Sequence, residues 1–203
     1  MLDAIRNRDG VFEQIYAIDP VTNRYMIEVA LDQYTDIFDE WDPAPFKRRS
    51  LDPDLDLYLN SSSEEIPWRH GIELYFTLPK GTRNEAMENE VRDGLKNSFI
   101  FKMYLLRKKL QKTNGQTLRC LLLGFLFLWI GTVFPDQAWL EAMFPNAGAA
   151  LAISLLAEGL FIGGWVFLWE AVSLFFFTDR DLLYQYRTYK RLLNAPVFFR
   201  ETE

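Results

Sequence analysis

The sequence predicts an α+β cytoplasmic head, with about three antiparallel strands and a long amphipathic helix, followed by a two-helix transmembrane hairpin. Three observations predict it. Strand-like patterning recurs at residues 24–31 and 72–78, and apolar residues return at helical spacing from Met87 to Leu110. Two apolar runs, 118–134 and 147–177, are long enough to enter a bilayer. With two stretches of the 203 residues committed to lipid, the remainder suffices for one modest domain and tails. We therefore expect a head at 1–115, a hairpin at 116–178 and a cytoplasmic amphipathic tail at 179–203.

Composition has to be read locally, because the slightly negative mean hydropathy averages a polar first half with an apolar second half. The net charge of −6 argues against nucleic acid, whose phosphates need a concentrated basic surface. Cys120, the single cysteine, stands at the start of the first apolar run, where it can form neither an intrachain disulfide nor a cysteine metal site. A reducing compartment is expected for the soluble part. The first ten residues carry charges but no apolar stretch, so no cleavable secretory signal is expected.

The head elements follow in order. Residues 11–18 and 24–31 flank Asp19-Pro20-Val21-Thr22-Asn23, which is turn chemistry, and read as a β-hairpin. Its second arm places Tyr25, Ile27, Val29 and Leu31 on one face. Residues 32–42 carry Tyr34, Ile37, Phe38 and Trp41 among five acids and read as a short helix, ended by Pro43 and Pro45. Lys47-Arg48-Arg49 in the connector reads as a solvated charge run. Asp52, Asp54 and Asp56 have the spacing of a calcium loop, but Leu57 stands where that loop needs glycine and Ser63 where it needs a bidentate acid. A helix start fits better, with Asp52 as N-cap and Pro53 at the first helical position, and places a second helix between Pro53 and Asn60. Residues 72–78 alternate as a half-buried strand, and the long helix from Asn84 is expected to end at Asn114-Gly115.

The first apolar run spans about 25 Å as a helix, short for a bilayer crossing but tolerable with local thinning and a snorkelling Arg119. Residues 137–145 read as a short interfacial helix anchored by Trp139. Lysines and arginines flank the two runs on their outer sides (Arg107, Lys108, Lys109 and Lys112 before; Arg180, Arg187, Lys190 and Arg191 after), and none lies between them. The positive-inside rule then places both termini in the cytoplasm.

Asp42-Pro43-x-Pro45-Phe46-Lys47, Ser63-x-Glu65-Ile66-Pro67 and Glu158-Gly159-x-x-Ile162-x-Gly164-Trp165-Val166-x-Leu168-Trp169 resemble a family of small, uncharacterised prokaryotic membrane proteins. The resemblance runs from about Asp32 onward. It implies a soluble N-terminal head before a two-span hairpin in a prokaryotic cytoplasmic (inner) membrane, and it implies no activity.

Glu158 lies near the middle of the second run. At about 100° per residue it shares a stripe with Ser154, Ile162, Trp165 and Trp169, while Gly159 and Gly163 lie on another with Ala152 and Glu170. Gly124 and Gly131 on the first run form a seven-residue stripe, so Gly124, Gly131, Gly159 and Gly163 are the expected packing glycines. A midplane carboxylate must be protonated, paired or turned toward protein. As a structural residue Glu158 would be protonated and hydrogen-bonded, with Ser154 one turn earlier as a partner; as a contact it would meet a second copy or another membrane protein. The expected function is a membrane-anchored scaffold or adaptor subunit of an oligomeric or multi-protein assembly. The alternative is a proton- or cation-conducting subunit using Glu158. Tyr34, Phe38 and Trp41 are candidate docking residues, with core packing as their structural reading. Nothing in the chain names a catalytic, cofactor or metal residue: His70 is the sole histidine, and phosphate-loop, nucleophile-elbow and zinc-helix motifs are lacking.

Overall fold

The computed structural model describes residues 12, 14–133 and 147–202; Val11, Glu13 and the expected interfacial helix with Trp139 lie outside the described residues. Strands β1 (Tyr25–Ala30), β2 (Ile72–Leu78) and β3 (Val197–Glu201) form one sheet in that order, and both pairings are parallel. This corrects the expected antiparallel sheet. The turn at Asp19 does form: Asn23 adopts a φ of 56°, and the Asp19 carboxylate accepts the Val21 N–H at 2.7 Å. Beyond it, among the described residues, one antiparallel bridge follows, Ile18 to Tyr25, because Phe12, Gln14 and Ile15 are helical. The register with β2 sets Tyr25 beside Ile72, Ile27 beside Leu74 and Val29 beside Phe76. That apolar pairing gives β1 its partner.

Parallel strands cannot be joined by a tight turn and need a crossover. Helix α1 (Pro53–Glu65) lies in the crossover between β1 and β2. Between β2 and β3 the chain runs through α2 (Glu85–Val133), α3 (Ala147–Ser173), a π-helical segment (Leu174–Thr178) and α4 (Asp179–Leu193). The apolar hairpin is thus an insertion in a crossover, and the helix order departs from the one expected. The chain divides into two compact units: Met1–Leu105 with Gln185–Glu203, here called the head, and Leu106–Tyr184, the hairpin unit.

Local chemistry explains the helix ends. Asp52 caps α1, its carboxylate accepting the Asp54 and Leu55 N–H groups at 2.9 and 3.0 Å, and Pro53 begins the helix. Asn84 caps α2 through the Ala86 and Met87 N–H groups. Asn114-Gly115 does not end α2, which continues for 49 residues, about 74 Å of helix. A helical glycine costs about 1 kcal/mol relative to alanine. Ending the helix there would leave its last carbonyls to find other partners, at a cost of several kcal/mol each wherever such a group lay in lipid. The continuous helix is the smaller penalty.

In the head, β2 is central, and Leu74, Phe76 and Leu78 are fully buried. They share the core with Ile27 and Phe199 from the flanking strands, Leu59 of α1, Leu95 and Phe99 of α2, and Leu192 of α4. The other sheet face is tied across all three strands: Tyr75 stacks on Phe198 at 5.0 Å, and Arg200 pairs with Glu28 at 2.5 Å while lying 5.8 Å from the Tyr75 ring centroid. The C-terminal residues therefore complete the head as a strand. Phe199, stacked on Phe76 at 5.5 Å, tests this. Phe199→Ala is expected to destabilise the head by about 3 kcal/mol, read from denaturant unfolding of the detergent-solubilised chain by near-ultraviolet circular dichroism; an unchanged midpoint would remove β3 from the fold.

Candidate functional site

The head places a cluster of cations along one wall of a cleft. Helix α4 forms that wall, and two sets of contacts hold it to α1. In the first, the Tyr189 hydroxyl donates to the Asp56 carboxylate at 3.0 Å and accepts from the Asn60 amide at 3.1 Å. Lys102 of α2 closes the set with a 2.8 Å ion pair to Asp56. In the second, the Arg191 guanidinium donates to four carbonyl oxygens at and beyond the end of α1: Ser63 in its last turn at 2.5 Å, then Ile66 at 2.8 Å, Pro67 at 3.2 Å and His70 at 2.7 Å. A helix leaves its last carbonyls without internal partners. Here a side chain from a distant helix satisfies them, and Trp68 stacks beneath it with its ring centroid 5.2 Å from the guanidinium carbon.

The cleft lies between α4 and the loop leading into β2, with a volume of about 460 Å³. Arg24, Arg187, Lys190 and Arg191 line it, with Trp68 and Ile72 as apolar surface, and no acid is among its lining residues. Arg24 lies against Gly71, where an added Cβ would stand 2.9 Å from the Arg24 Cγ, so glycine makes room for its stem. The Arg24 guanidinium is 3.6 Å from Glu73, a fully buried carboxylate of β2 whose two oxygens have no hydrogen-bond partner. A larger cleft, about 670 Å³, has Asp39 in its walls with Lys47, Arg48, Arg49 and Lys102, and three of these cations are engaged: Lys47 with Asp93 at 3.4 Å, Lys102 with Asp56, and Arg49 with the Ala44 carbonyl at 3.0 Å.

In the hairpin unit, α2 and α3 meet along small residues at seven-residue intervals. An added Cβ on Gly124 would approach the Leu168 side chain to 2.9 Å, one on Gly131 the Ala157 carbonyl to 2.9 Å, and one on Gly164 the Leu128 nitrogen to 2.9 Å. Ala157 and Ala171 are buried on the same α3 stripe as Gly164. Such a seven-residue repeat on both helices is the pattern of a left-handed crossing. The structure thus brings Gly124 and Gly131 together with Gly164; Gly163 makes only ordinary contact with Phe127 at 3.5 Å, and Gly159 has nothing within 4 Å. The period of Gly124 and Gly131 was the signal for this seam, since Ala157, Gly164 and Ala171 repeat it. Glu158 is exposed on the surface of the unit, next to the seam but outside it, and Ser154 is half-buried. Both α2 and the helix through residues 151–193 are long and apolar enough to cross a membrane, and most of each apolar window is exposed.

The docking candidates separate. Tyr34 is buried, its hydroxyl accepting the Asn84 N–H at 3.0 Å, and Phe38 is buried and stacked on Phe46 at 5.3 Å. Trp41 is 92% exposed, on a loop fixed by the Asp39 and Asp42 carboxylates. The Ser50 and Ala44 N–H groups hold the Asp42 carboxyl below the ordinary carboxylate range. Asp52 and Asp56 are occupied as cap and ion-pair partner, and no group of metal-ligating side chains occurs among the described residues. No family model, curated protein or solved structure matches this chain.

Two outcomes follow from this geometry. Gly164→Leu is expected to destabilise the hairpin by roughly 1–3 kcal/mol through overpacking, whereas Gly159→Leu should leave it within about 0.5 kcal/mol; thermal melts of helical dichroism in detergent compare them. Burial, reinforced by the Glu65 carboxylate that its hydroxyl meets at 2.6 Å, pushes Tyr16 up from 10.0 to about 12. Burial and then Asp56 raise Tyr189 further. Both phenols keep their protons longer when folded, so the stability they contribute is complete below pH 10 and is lost as pH rises, for Tyr16 through about 12 and for Tyr189 at still higher pH. Alkaline unfolding curves should show this fall, and Tyr16→Phe should reduce it.

Proposed function

We propose that the chain is a membrane-anchored scaffold or adaptor subunit whose hairpin assembles, through the face bearing Glu158, with further copies of itself. The observation that carries this reading is the position of Glu158. The seam between α2 and α3 is built of Gly124, Gly131, Ala157 and Gly164, and the carboxyl group stands outside it on an exposed face. A carboxyl group near the bilayer midplane costs several kcal/mol if it faces lipid in its charged form. A second hairpin carrying the same acid offers it a shared proton and a hydrogen-bond partner. The basic residues flanking both apolar runs support a head on the cytoplasmic side. Trp41, held out on a hydrogen-bonded loop, supplies the head with an aromatic docking residue of the kind that dominates interface energetics.

The test is the mass of the detergent-solubilised particle by light scattering. The wild type and Glu158→Gln, which keeps hydrogen-bonding capacity, are expected at a multiple of 23.9 kDa, and Glu158→Leu at the monomer. A monomeric wild type, or an oligomer that Glu158→Leu leaves intact, would overturn the assembly.

A further inference from the structure

We propose that the cleft between α4 and the loop leading into β2 binds a phosphate-bearing anion, with Arg187 and Lys190 as its principal cationic contacts, Arg24 as a third and Trp68 against the remainder of the ligand. This rests on the head alone and not on the assembly of the hairpin.

The first support is a cleft lined by cations and by no acid. In a chain of net charge −6, Lys47, Arg83, Arg92, Lys102 and Arg200 each face a carboxylate within 4.0 Å. Arg187 and Lys190, three residues apart and so on one face of α4, have no such partner among the described residues, and both line the cleft. Cations gathered in a concavity without acids raise the local concentration of anions.

The second support is the use made of Arg191. The carbonyls of Ser63, Ile66, Pro67 and His70 converge beside the cleft, where their partial negative charges would repel an anion. The guanidinium that accepts no role in ligand binding covers all four, which leaves Arg187 and Lys190 facing the cleft unopposed. Arg24 is held by Gly71 and partly balanced by Glu73, so it adds a weaker attraction. Guanidinium and ammonium groups placed together match the several oxygens of a phosphate better than a single carboxylate. The volume of about 460 Å³ suits a small organic phosphate or a phospholipid headgroup, and Trp68 and Ile72 give the non-ionic part an apolar surface.

The chemistry common to both sources is the phosphate group, and two arms distinguish them. The full chain in non-ionic detergent is titrated with inorganic phosphate by ³¹P line broadening at low ionic strength. In parallel, the full chain in nanodiscs of phosphatidylcholine, with or without phosphatidylglycerol, is analysed by native mass spectrometry for retained lipid. Saturable binding is expected in at least one arm, weakened tenfold or more by Arg187→Gln with Lys190→Gln and unchanged by Arg200→Gln. Binding of inorganic phosphate identifies a soluble ligand; selective retention of phosphatidylglycerol identifies a headgroup. Both substituted residues are exposed, and circular dichroism verifies that the double variant folds. Absence of saturable binding in both arms, or equal binding by the double variant, overturns the proposal.

Discussion

A parallel pair of strands forces the chain to travel from one end of the sheet back to the other before it can pair again. In this protein the second such journey, from β2 to β3, contains both apolar helices. The consequence is that the head is discontinuous in sequence: it is made of Met1–Leu105 and Gln185–Glu203, with the hairpin unit Leu106–Tyr184 between. The head closes only when Val197–Glu201 docks on the far side of β2 and sets Phe199 on Phe76. Folding of the head therefore depends on contacts of very long sequence separation, whose loop-closure entropy must be met before the sheet is complete.

What offsets that entropy is a concentration of interactions on α4. Tyr189 and Arg191 are two residues apart, and between them they hold α1 through Asp56, Asn60 and the carbonyls at and beyond its end, while Leu192 is buried in the core. Hydrogen bonds with a charged partner contribute about 1.5–3 kcal/mol each, more than neutral ones, and Arg191 makes four in a fixed fork. The same helix turns Arg187 and Lys190 to the cleft. One short helix thus carries both the cation that meets the carbonyls, Arg191, and two that line the cleft, Arg187 and Lys190.

The hairpin unit divides its roles in a similar way. Small residues at seven-residue spacing let the two backbones approach until a Cβ at Gly124, Gly131 or Gly164 would collide. In an apolar surrounding, where burial of hydrocarbon gives little net drive, such close packing is the main source of helix association. Glu158 is one residue along from Ala157, a rotation of about 100°, which is enough to remove it from the seam and expose it.

Much of the local structure was legible in the residues: the Asp52-Pro53 start of α1, the alternation of β2, the turn at Asp19 and Asn23, and two helices of membrane-crossing length. Each depends on chemistry within a few positions. The candidate site was less legible. Arg24, Arg187 and Lys190 are far apart in the chain, and the two on α4 read as flanking charge until the fold brings Arg24 and Gly71 to the same cleft. Tyr34 and Phe38 resemble docking aromatics in sequence and are core residues in space. By itself, then, the sequence determined the helix start, the strand patterns and the apolar runs, because capping, periodicity and hydropathy are local. Tertiary structure alone decided that the strands are parallel, that Val197–Glu201 completes the sheet and that Gly164 rather than Gly159 faces the neighbouring helix. The physical reason is the same in each case: strand direction, sheet closure and helix-facing angle are relations between distant segments, settled by which pairing buries apolar surface while leaving the fewest backbone groups unpaired.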